Sequence, residues 1–260
     1  MRPTTQSSQN SLLLLLLLLQ LLHLVLAQNF CDPSLCSRGS RHIGCGHNGR
    51  FANGCRGEFV NINAHRGLIL QLHNQRRNQI AGGGLSGFPS AVQMGTMSWD
   101  PILARLAAYN VQQCRMAHDQ CRNTNVYRFS GQNLSVLFTR RNINTAQYLR
   151  QRIADWFDEY RDATRADIER FRSRGGPAIG HFTAMVNERN NRIGCAVARY
   201  TSASGSSGTL LACNYAVTNM INNPVYRPGR SASQCRAGRN PRYTNLCAAN
   251  EVYSYNNWSG

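Results

Sequence analysis

The sequence predicts an α+β fold, because a helical pattern of apolar residues is followed along the chain by a strand pattern. Over residues 61–171 apolar positions recur every three or four residues, as on the buried side of helices. From residue 181 onward they alternate with polar positions, as in half-buried strands. The 10 cysteines are an even number, which is typical of a disulfide framework in an exported protein.

Residues 1–27 are predicted to be a signal peptide. An apolar run over residues 12–26 leads to Ala27, a small residue that suits cleavage before Gln28. The run is shorter than the roughly 20 apolar residues that span a bilayer. We therefore expect a secreted, extracellular protein without stable membrane insertion; an uncleaved anchor is the alternative.

The chain is strongly basic, with a formal net charge of +17, and all 29 of its Lys and Arg residues are arginine. A guanidinium group binds carboxylate, sulfate or phosphate through two parallel hydrogen bonds. Acidic glycans and anionic lipid surfaces are therefore candidate partners. The alternative is a solvated surface without a ligand, since the arginines are spread along the chain. Nucleic acid is not expected as a partner, because an exported chain without a recognition motif does not favour it.

An N-terminal extension precedes the helices. From Gln28 to about Glu58 the chain is dense in Cys, Gly and His and shows almost no apolar periodicity. Such a segment cannot build a core, so its four cysteines are expected to pin it to another part of the protein.

Helices are predicted next. The first lies within residues 61–84 and ends at three glycines. The second begins at Pro101 with Asp100 as its N-cap. The third lies within residues 144–163, and a shorter one covers residues 166–171.

Strands are predicted over residues 181–187, 193–200 and 209–217. The loop TSASGSSG joins the last two as a hairpin. Folding the hairpin about its centre places Cys195 opposite, or nearly opposite, Cys213, close enough for a disulfide. In the tail, Cys235 and Cys247 are expected to close a local loop.

His181 and the carboxylates of the third helix are candidate functional groups. Spacing residues 100° apart directs Asp158 away from the apolar stripe of that helix and places Glu159 along its edge. Glu159 can therefore turn inward as a metal ligand, as an acid or base, or as the partner of an arginine. The residues alone favour the arginine partner.

Several motifs occur in a fixed order: LHNQRRN (72–78), CRMAHDQCRN (114–123), SGQNL (130–134), WFDEY (156–160), GHFTAMV (180–186) and ACNYAVTNMINNPVY (212–226). They resemble the motifs of the CAP superfamily, which contains cysteine-rich secretory, antigen-five and pathogenesis-related proteins. The segments CDPSLC and HIGCG narrow the likeness to insect antigen-five proteins, relatives of the venom allergens. The resemblance implies a CAP-type α-β-α sandwich, with a three-stranded antiparallel sheet between helices and disulfide-braced extensions at both ends.

The resemblance also implies a cleft with two histidines and two acidic residues that binds zinc or another divalent metal. By motif, the histidines are His118 and His181, and one acid is Glu159. The position of the second acid is occupied by Gln132, whose neutral amide weakens a site for a dication. Two readings stay open: a weak three-ligand metal site of His118, Glu159 and His181, and a polar cluster that binds no metal.

The disulfide pairing implied by the resemblance is Cys31–Cys45, Cys36–Cys121, Cys55–Cys114 and Cys195–Cys213, which leaves Cys235 to pair with Cys247. We divide the chain into a signal peptide (1–27), an N-terminal extension (28–62), a CAP domain (63–226) and a C-terminal extension with one local disulfide (227–260).

Three functions are compatible with the sequence. The leading one is a monomeric, non-enzymatic extracellular protein that captures a small lipid, a mediator or another partner. The second is a metal-assisted hydrolytic or redox enzyme, in which His118 and His181 hold the metal and Glu159 is the base; no GxSxG or HExxH motif supports it. The third is an arginine-rich surface that binds acidic glycans.

Two further residues are assigned from their context. Asn257 begins a glycosylation sequon in the tail and is preferred to the sequon at Asn133, which lies against the expected cleft. His73 lies in the first helix and is expected to bond neighbouring backbone rather than a metal.

Overall fold

The computed structural model describes residues 28–173 and 175–257, so the predicted signal peptide lies outside the described residues. The helices are α1 (Arg66–Ala81), α2 (Pro101–Val111), α3 (Thr145–Asp158), α4 (Arg165–Glu169) and α5 (Gly180–Val186). The strands are β1 (Arg56–Phe59), β2 (Ser98–Trp99), β3 (Gly131–Phe138), β4 (Arg192–Thr201) and β5 (Ser207–Tyr215). Short 3-10 turns cover Pro33–Leu35, Ile62–His65 and Glu159–Asp162. Within the described ranges, no helix is long and apolar enough to span a membrane.

One mixed sheet forms the middle of the molecule. Its strands lie in the order β1-β4-β5-β3, with antiparallel pairing throughout, and the short β2 pairs in parallel with β4. The sheet therefore consists of three long strands, β3, β4 and β5, and two short ones. The predicted three-stranded sheet is correct for the long strands and omits the two short strands.

Helices cover both faces of this sheet, as the α-β-α sandwich requires. Side chains of a strand alternate between faces. One set contacts α1, α3 and α5 in the main core, and it includes Ile193, Val197 and Leu211. The other set contacts α2 in a smaller core that includes Ala198 and Leu210. The predicted fold class is confirmed.

The strand predicted over residues 181–187 is wrong, because Gly180–Val186 forms the helix α5. Residues 182–186 are all buried, so the segment has no solvent face and its apparent alternation has no meaning. Residues distant in sequence hydrogen-bond to the backbone groups near both ends of the helix. The Glu159 carboxylate accepts the N–H groups of His181 and Phe182, and Asn190 Nδ2 donates to Ala184 O at the far end.

The third long strand is β3, which has no strand pattern in the sequence. Its first four residues are all buried, and two of them, Gln132 and Asn133, are polar. Alternation is absent because these side chains hydrogen-bond inside the protein instead of facing water. The register pairs Gln132 with Asn214 and Asn133 with Cys213 on β5.

The other elements follow their local signals closely. The Asp100 carboxylate accepts the N–H groups of Ile102 and Leu103 at the start of α2. Pro101 is the first residue of this helix, as predicted. The shorter helix is displaced by one or two residues to Arg165–Glu169, because Thr164 forms its capping box.

The structure contains five disulfides: Cys31–Cys45, Cys36–Cys121, Cys55–Cys114, Cys195–Cys213 and Cys235–Cys247. These are the expected pairs. Cys36–Cys121 and Cys55–Cys114 tie the N-terminal extension to the segment that follows α2. Cys195–Cys213 joins directly paired residues of β4 and β5.

A fully buried arginine ties α1 to α5. The Arg77 guanidinium donates from Nη1 to Met185 O (2.7 Å) and Asn187 O (2.8 Å), at the C-terminal end of α5. Nε and Nη2 donate to Gly95 O, at 3.0 and 2.7 Å. Burial lowers the pKa of Arg77 to about 10, so the group remains charged at neutral pH. A positive charge at a helix C-terminus is favourable, since the free carbonyls there carry negative partial charge.

Close packing of β4 on α2 gives the first prediction. A Cβ at Gly194 would overlap the backbone of Asp100, Leu103 and Ala104. We expect Gly194→Ala to lower the free energy of unfolding by about 2 kcal/mol, because neither backbone can move without disturbing the sheet. The control is Gly67→Ala, where nothing lies within 4 Å; in that helix alanine should stabilise by about 0.5 kcal/mol. Urea denaturation measures both, and equal effects would contradict the packing argument.

Candidate functional site

A cleft of about 350 Å³ brings the two predicted histidines together. Its wall is formed by β3, the first turn of α5 and adjoining loops, and it is lined by His118, Arg122, Gln132, Asn133, Ala178, Gly180, His181, Ala184, Thr218 and Asn219. Sequence reasoning identified His118, Gln132 and His181 among these residues. It assigned no cleft role to Arg122, Asn133 and Asn219.

His181 is held at the start of α5 by Glu159 and Trp156. Its ring nitrogen Nδ1 lies 2.5 Å from Glu159 Oε1, and its ring stacks on Trp156 with centroids 5.8 Å apart. Glu159 Oε2 accepts the N–H groups of His181 (2.8 Å) and Phe182 (3.0 Å). With Nδ1 bonded to Glu159, Nε2 is the ring nitrogen available to a ligand.

Glu159 therefore orients His181 rather than lining the cleft. Both of its oxygens are already bonded, and Glu159 does not line the cleft. Its partner is His181, so the arginine partner favoured by the residues alone is wrong. Among the described residues, no three His, Cys, Asp or Glu side chains are grouped to hold a metal ion. The predicted three-ligand site is not assembled.

His118 is oriented by Gln132. The Gln132 amide nitrogen donates to Asp119 Oδ2 (2.8 Å) and Asn214 Oδ1 (3.0 Å), so its oxygen must face the other way. That oxygen lies 2.9 Å from His118 Nδ1, which therefore donates to it. As in His181, Nε2 is the ring nitrogen left for a ligand.

Asp119 explains why an amide suits position 132. The Asp119 side chain is fully buried and accepts from Asn110 Nδ2 (2.6 Å), Gln113 Nε2 (3.1 Å) and Arg122 Nε (3.2 Å) as well as from Gln132. The negative charge missing from position 132 is thus carried by Asp119, which contacts the Gln132 side chain and is paired with Arg122. Sequence reasoning missed Asp119, although it directly follows His118 in the AHD segment.

Two asparagines line the cleft and are fixed by hydrogen bonds of their amide nitrogens. Asn133 Nδ2 donates to His181 O (3.1 Å) and Tyr215 Oη (3.2 Å), and Asn219 Nδ2 donates to Gly180 O (2.9 Å). Since carbonyl oxygens only accept, these contacts fix both amides. The Oδ1 atoms of Asn133 and Asn219 are buried and receive no hydrogen bond from the described residues.

A buried hydrogen-bond chain fixes Asn133 from behind. Ile69 O accepts from His73 Nδ1 (2.8 Å), so His73 Nε2 accepts the Tyr215 hydroxyl proton (3.0 Å), and Tyr215 Oη accepts from Asn133. Burial lowers the pKa of His73 to about 4, which keeps the ring neutral. His73 is the structural residue predicted from its place in the helix.

A neighbouring cavity of about 430 Å³ lies beside the cleft at His118. His118 lines both cavities, and the N-terminal extension contributes Arg41, His42 and His47 to the second. The His47 ring stacks on Tyr109 with centroids 3.9 Å apart, and burial lowers its pKa. The disulfide-linked extension thus builds one wall of a cavity that adjoins the cleft at His118.

The candidate glycosylation site lies in the tail. The Asn257 side chain is exposed, whereas Asn133, in the rejected sequon, is 1 % exposed. The last two residues of the Asn257 sequon lie outside the described ranges.

Fold and cleft together define a disulfide-braced protein of the CAP type. The CAP model, described as the cysteine-rich secretory protein family, matches residues 70–215. This chain belongs to that family.

Individual relatives support the same family assignment. Venom allergen-1 of Aedes aegypti is 39% identical over 237 residues, covering 89% of this chain and 92% of the relative. The antigen 5 like allergen Cul n 1 of Culicoides nubeculosus is 40% identical over 69% of this chain and 87% of its own length. The crystal structure of NaASP2 with Zn2+ aligns with a TM-score of 0.58 at 24% identity, over 79% of this chain and 100% of that one, and shows the same fold.

Restoring the family's acid at position 132 is expected to destabilise the protein, because Gln132 contacts the Asp119 carboxylate. Gln132→Glu restores the family's acid, but it removes the donor to Asp119 and places two carboxylates about 3 Å apart. We expect the free energy of unfolding at neutral pH to fall by about 2–3 kcal/mol. The loss should shrink as the pH falls, because a proton shared by the two carboxylates restores the hydrogen bond.

The control for this variant is Gln120→Glu, which makes the same charge change on an exposed side chain that already serves as an acceptor, for the N–H of Arg41. Chemical denaturation between pH 4 and pH 8 compares the two. A Gln132→Glu protein as stable as the control would contradict the role assigned to Asp119.

His73 makes stability depend on pH. Its folded pKa of about 4 lies below the ordinary value of 6.5, so between these values the unfolded chain binds the proton that the folded protein excludes. The contribution of His73 is complete above pH 6.5 and is lost as the pH falls toward 4, by about 3 kcal/mol in total. NMR titration of the His73 ring measures its pKa directly, and a value near 6.5 would refute the prediction.

Proposed function

We propose that the mature chain is a secreted, non-enzymatic binding protein that captures a small extracellular mediator in the cleft between His118 and His181. One observation carries the proposal: two histidines line one cleft, and the Nδ1 side of each ring is held by a hydrogen bond, to Gln132 for His118 and to Glu159 for His181. Nε2 is the nitrogen that remains on each ring for a ligand.

This arrangement favours a ligand that brings donors or positive charge. An imidazole whose Nδ1 carries the proton accepts a hydrogen bond at Nε2, so a ligand that donates N–H or O–H groups can pair with both rings. An amine, or a small lipid with a hydroxylated head group, has the required chemistry. The Ala178 and Ala184 side chains provide the small apolar part of the wall.

A divalent cation fits the same atoms weakly. The two imidazole rings have their Nδ1 atoms hydrogen-bonded to Glu159 and Gln132. Metal-binding histidines are commonly supported in the same way, by a hydrogen bond on the nitrogen that does not bind the metal. The third protein ligand is absent from the described residues, and Arg122 borders the cleft with its positive charge. NaASP2, which shares the fold, was crystallised with Zn2+. Bound zinc would supply positive charge to polarise a ligand.

Catalysis is the less favoured function. In the enzyme hypothesis Glu159 acts as the base, but its two oxygens accept three hydrogen bonds from His181 and Phe182. These contacts turn the carboxylate toward α5, and Glu159 does not line the cleft. Glu159 is better suited to holding His181 in place.

Titration calorimetry of zinc into the mature, oxidised protein tests the cleft. We expect weak one-site binding that is lost in His118→Ala and in His181→Ala, because only two nitrogen ligands are available. His65→Ala is the control, since His65 does not line the cleft.

Native mass spectrometry of protein secreted from insect cells should show a retained small molecule that His181→Ala releases. Zinc-dependent turnover lost in His181→Ala would favour the enzyme instead, and binding unaffected by both alanine variants would exclude the cleft.

A further inference from the structure

A separate and larger groove lies at the far end of the sheet, away from the histidine cleft and from the cavity beside His118. Its volume is about 860 Å³. Its walls come from the start of β1, the loop after β3 and the residues on either side of the turn of the β4–β5 hairpin. It is lined by Arg56, Gly57, Glu58, Thr139, Arg140, Arg141, Asn142, Arg199, Tyr200, Thr201, Gly205, Ser207, Gly208 and Thr209. It shares no lining residue with the cleft.

The charge of this groove is strongly positive. Four arginines line it against a single carboxylate, Glu58. Arg199 Nη1 lies 3.5 Å from Glu58 Oε1 and forms an ion pair with it, and the Glu58 side chain is 70% exposed. Arg56, Arg140 and Arg141 are exposed and form no ion pair with a described residue.

Arg199 is the most buried of the four. It donates from Nη2 to Ile143 O and Thr145 Oγ1, both at 3.4 Å, and its Nε is buried without a partner in the described part of the chain. The Arg199 side chain is still 31% exposed, so its guanidinium group can add positive charge to the attraction of an anion in the groove.

Hydroxyl groups lie between the arginines. Thr201 and Ser207 face each other across the hairpin, with their oxygens 2.9 Å apart, and Thr139 lies beside Arg140. Guanidinium groups bind sulfate and carboxylate by paired hydrogen bonds, and hydroxyls can bind sugar oxygens. The lining therefore suits a chain in which sugars alternate with anionic groups.

We propose that this groove binds a linear sulfated glycan. The arginines come from β1 and β4 on one side and from the loop after β3 on the other, so an extended polyanion can lie between them. A flat membrane surface would contact the rim rather than both walls. The proposal concerns a site separate from the cleft and does not depend on the function proposed for the cleft.

The test is binding of a heparin octasaccharide to the mature, oxidised protein at 0.15 M NaCl. The groove variant carries Arg56→Gln, Arg140→Gln and Arg141→Gln, none of which removes an ion pair of a described residue. The control carries Arg38→Gln, Arg230→Gln and Arg236→Gln, which lower the net charge equally on exposed residues outside the groove.

We expect the groove variant to bind about tenfold more weakly and the control less than about threefold, since each exposed contact contributes modestly. The salt dependence of Kd should also become shallower in the groove variant. His181→Ala should bind the octasaccharide normally, which separates this site from the cleft. Equal melting temperatures for the two triple variants exclude unfolding as the cause.

Four results would overturn the proposal. Equal losses in the two variants would indicate diffuse attraction to a basic surface. Equal binding of a desulfated octasaccharide would show that the anionic groups are not recognised. Displacement by inorganic sulfate at the same concentration as the octasaccharide would indicate an isolated anion site. Groove-dependent binding to phosphatidylserine vesicles without octasaccharide binding would indicate a membrane surface.

Discussion

The hydrogen bonds of buried Arg77 are the constraint on which the cleft depends. Helix α5 has only 7 residues, and a helix of that length is not stable alone. It is held at both ends from outside: the Glu159 carboxylate binds its first N–H groups, and the Arg77 guanidinium binds the carbonyls of Met185 and Asn187 at its end. The two contacts complement the helix dipole. Because His181 lies in the first turn, this arrangement also places its ring in the cleft.

A second layer of polar contacts sets what the cleft presents to a ligand. Glu159 and Gln132 each hold the Nδ1 side of a histidine, so both rings offer Nε2. Gln132 is in turn held by Asp119, which is buried beneath it. Cleft and groove therefore differ in chemistry: one presents acceptors, whereas the other presents guanidinium donors.

Local signals predicted much of the fold. Asp100 and Pro101 start α2 where expected, since the N-cap, the fixed φ of proline and the following apolar residues act within one turn. Cys195 and Cys213 were paired from the hairpin alone, because the turn sets the register of its strands. Helix α5 and strand β3 were not predicted. Residues 182–186 of α5 and the first four residues of β3 are all buried, so neither stretch retains the amphipathic pattern by which elements are recognised.

The sequence by itself determined the family, the disulfide framework, the cap of α2 and the two histidines, because these depend on motifs, spacing and residue type. Only the tertiary structure decided what the neighbouring polar residues do. Glu159 orients His181, and Gln132 serves the buried Asp119, which the sequence did not single out. The four arginines of the groove are far apart in sequence, between positions 56 and 199, and become a site only when β1, β4 and the loop after β3 converge. Hydrogen bonds and charge interactions act over a few ångströms of space, and sequence distance does not reveal which groups lie that close.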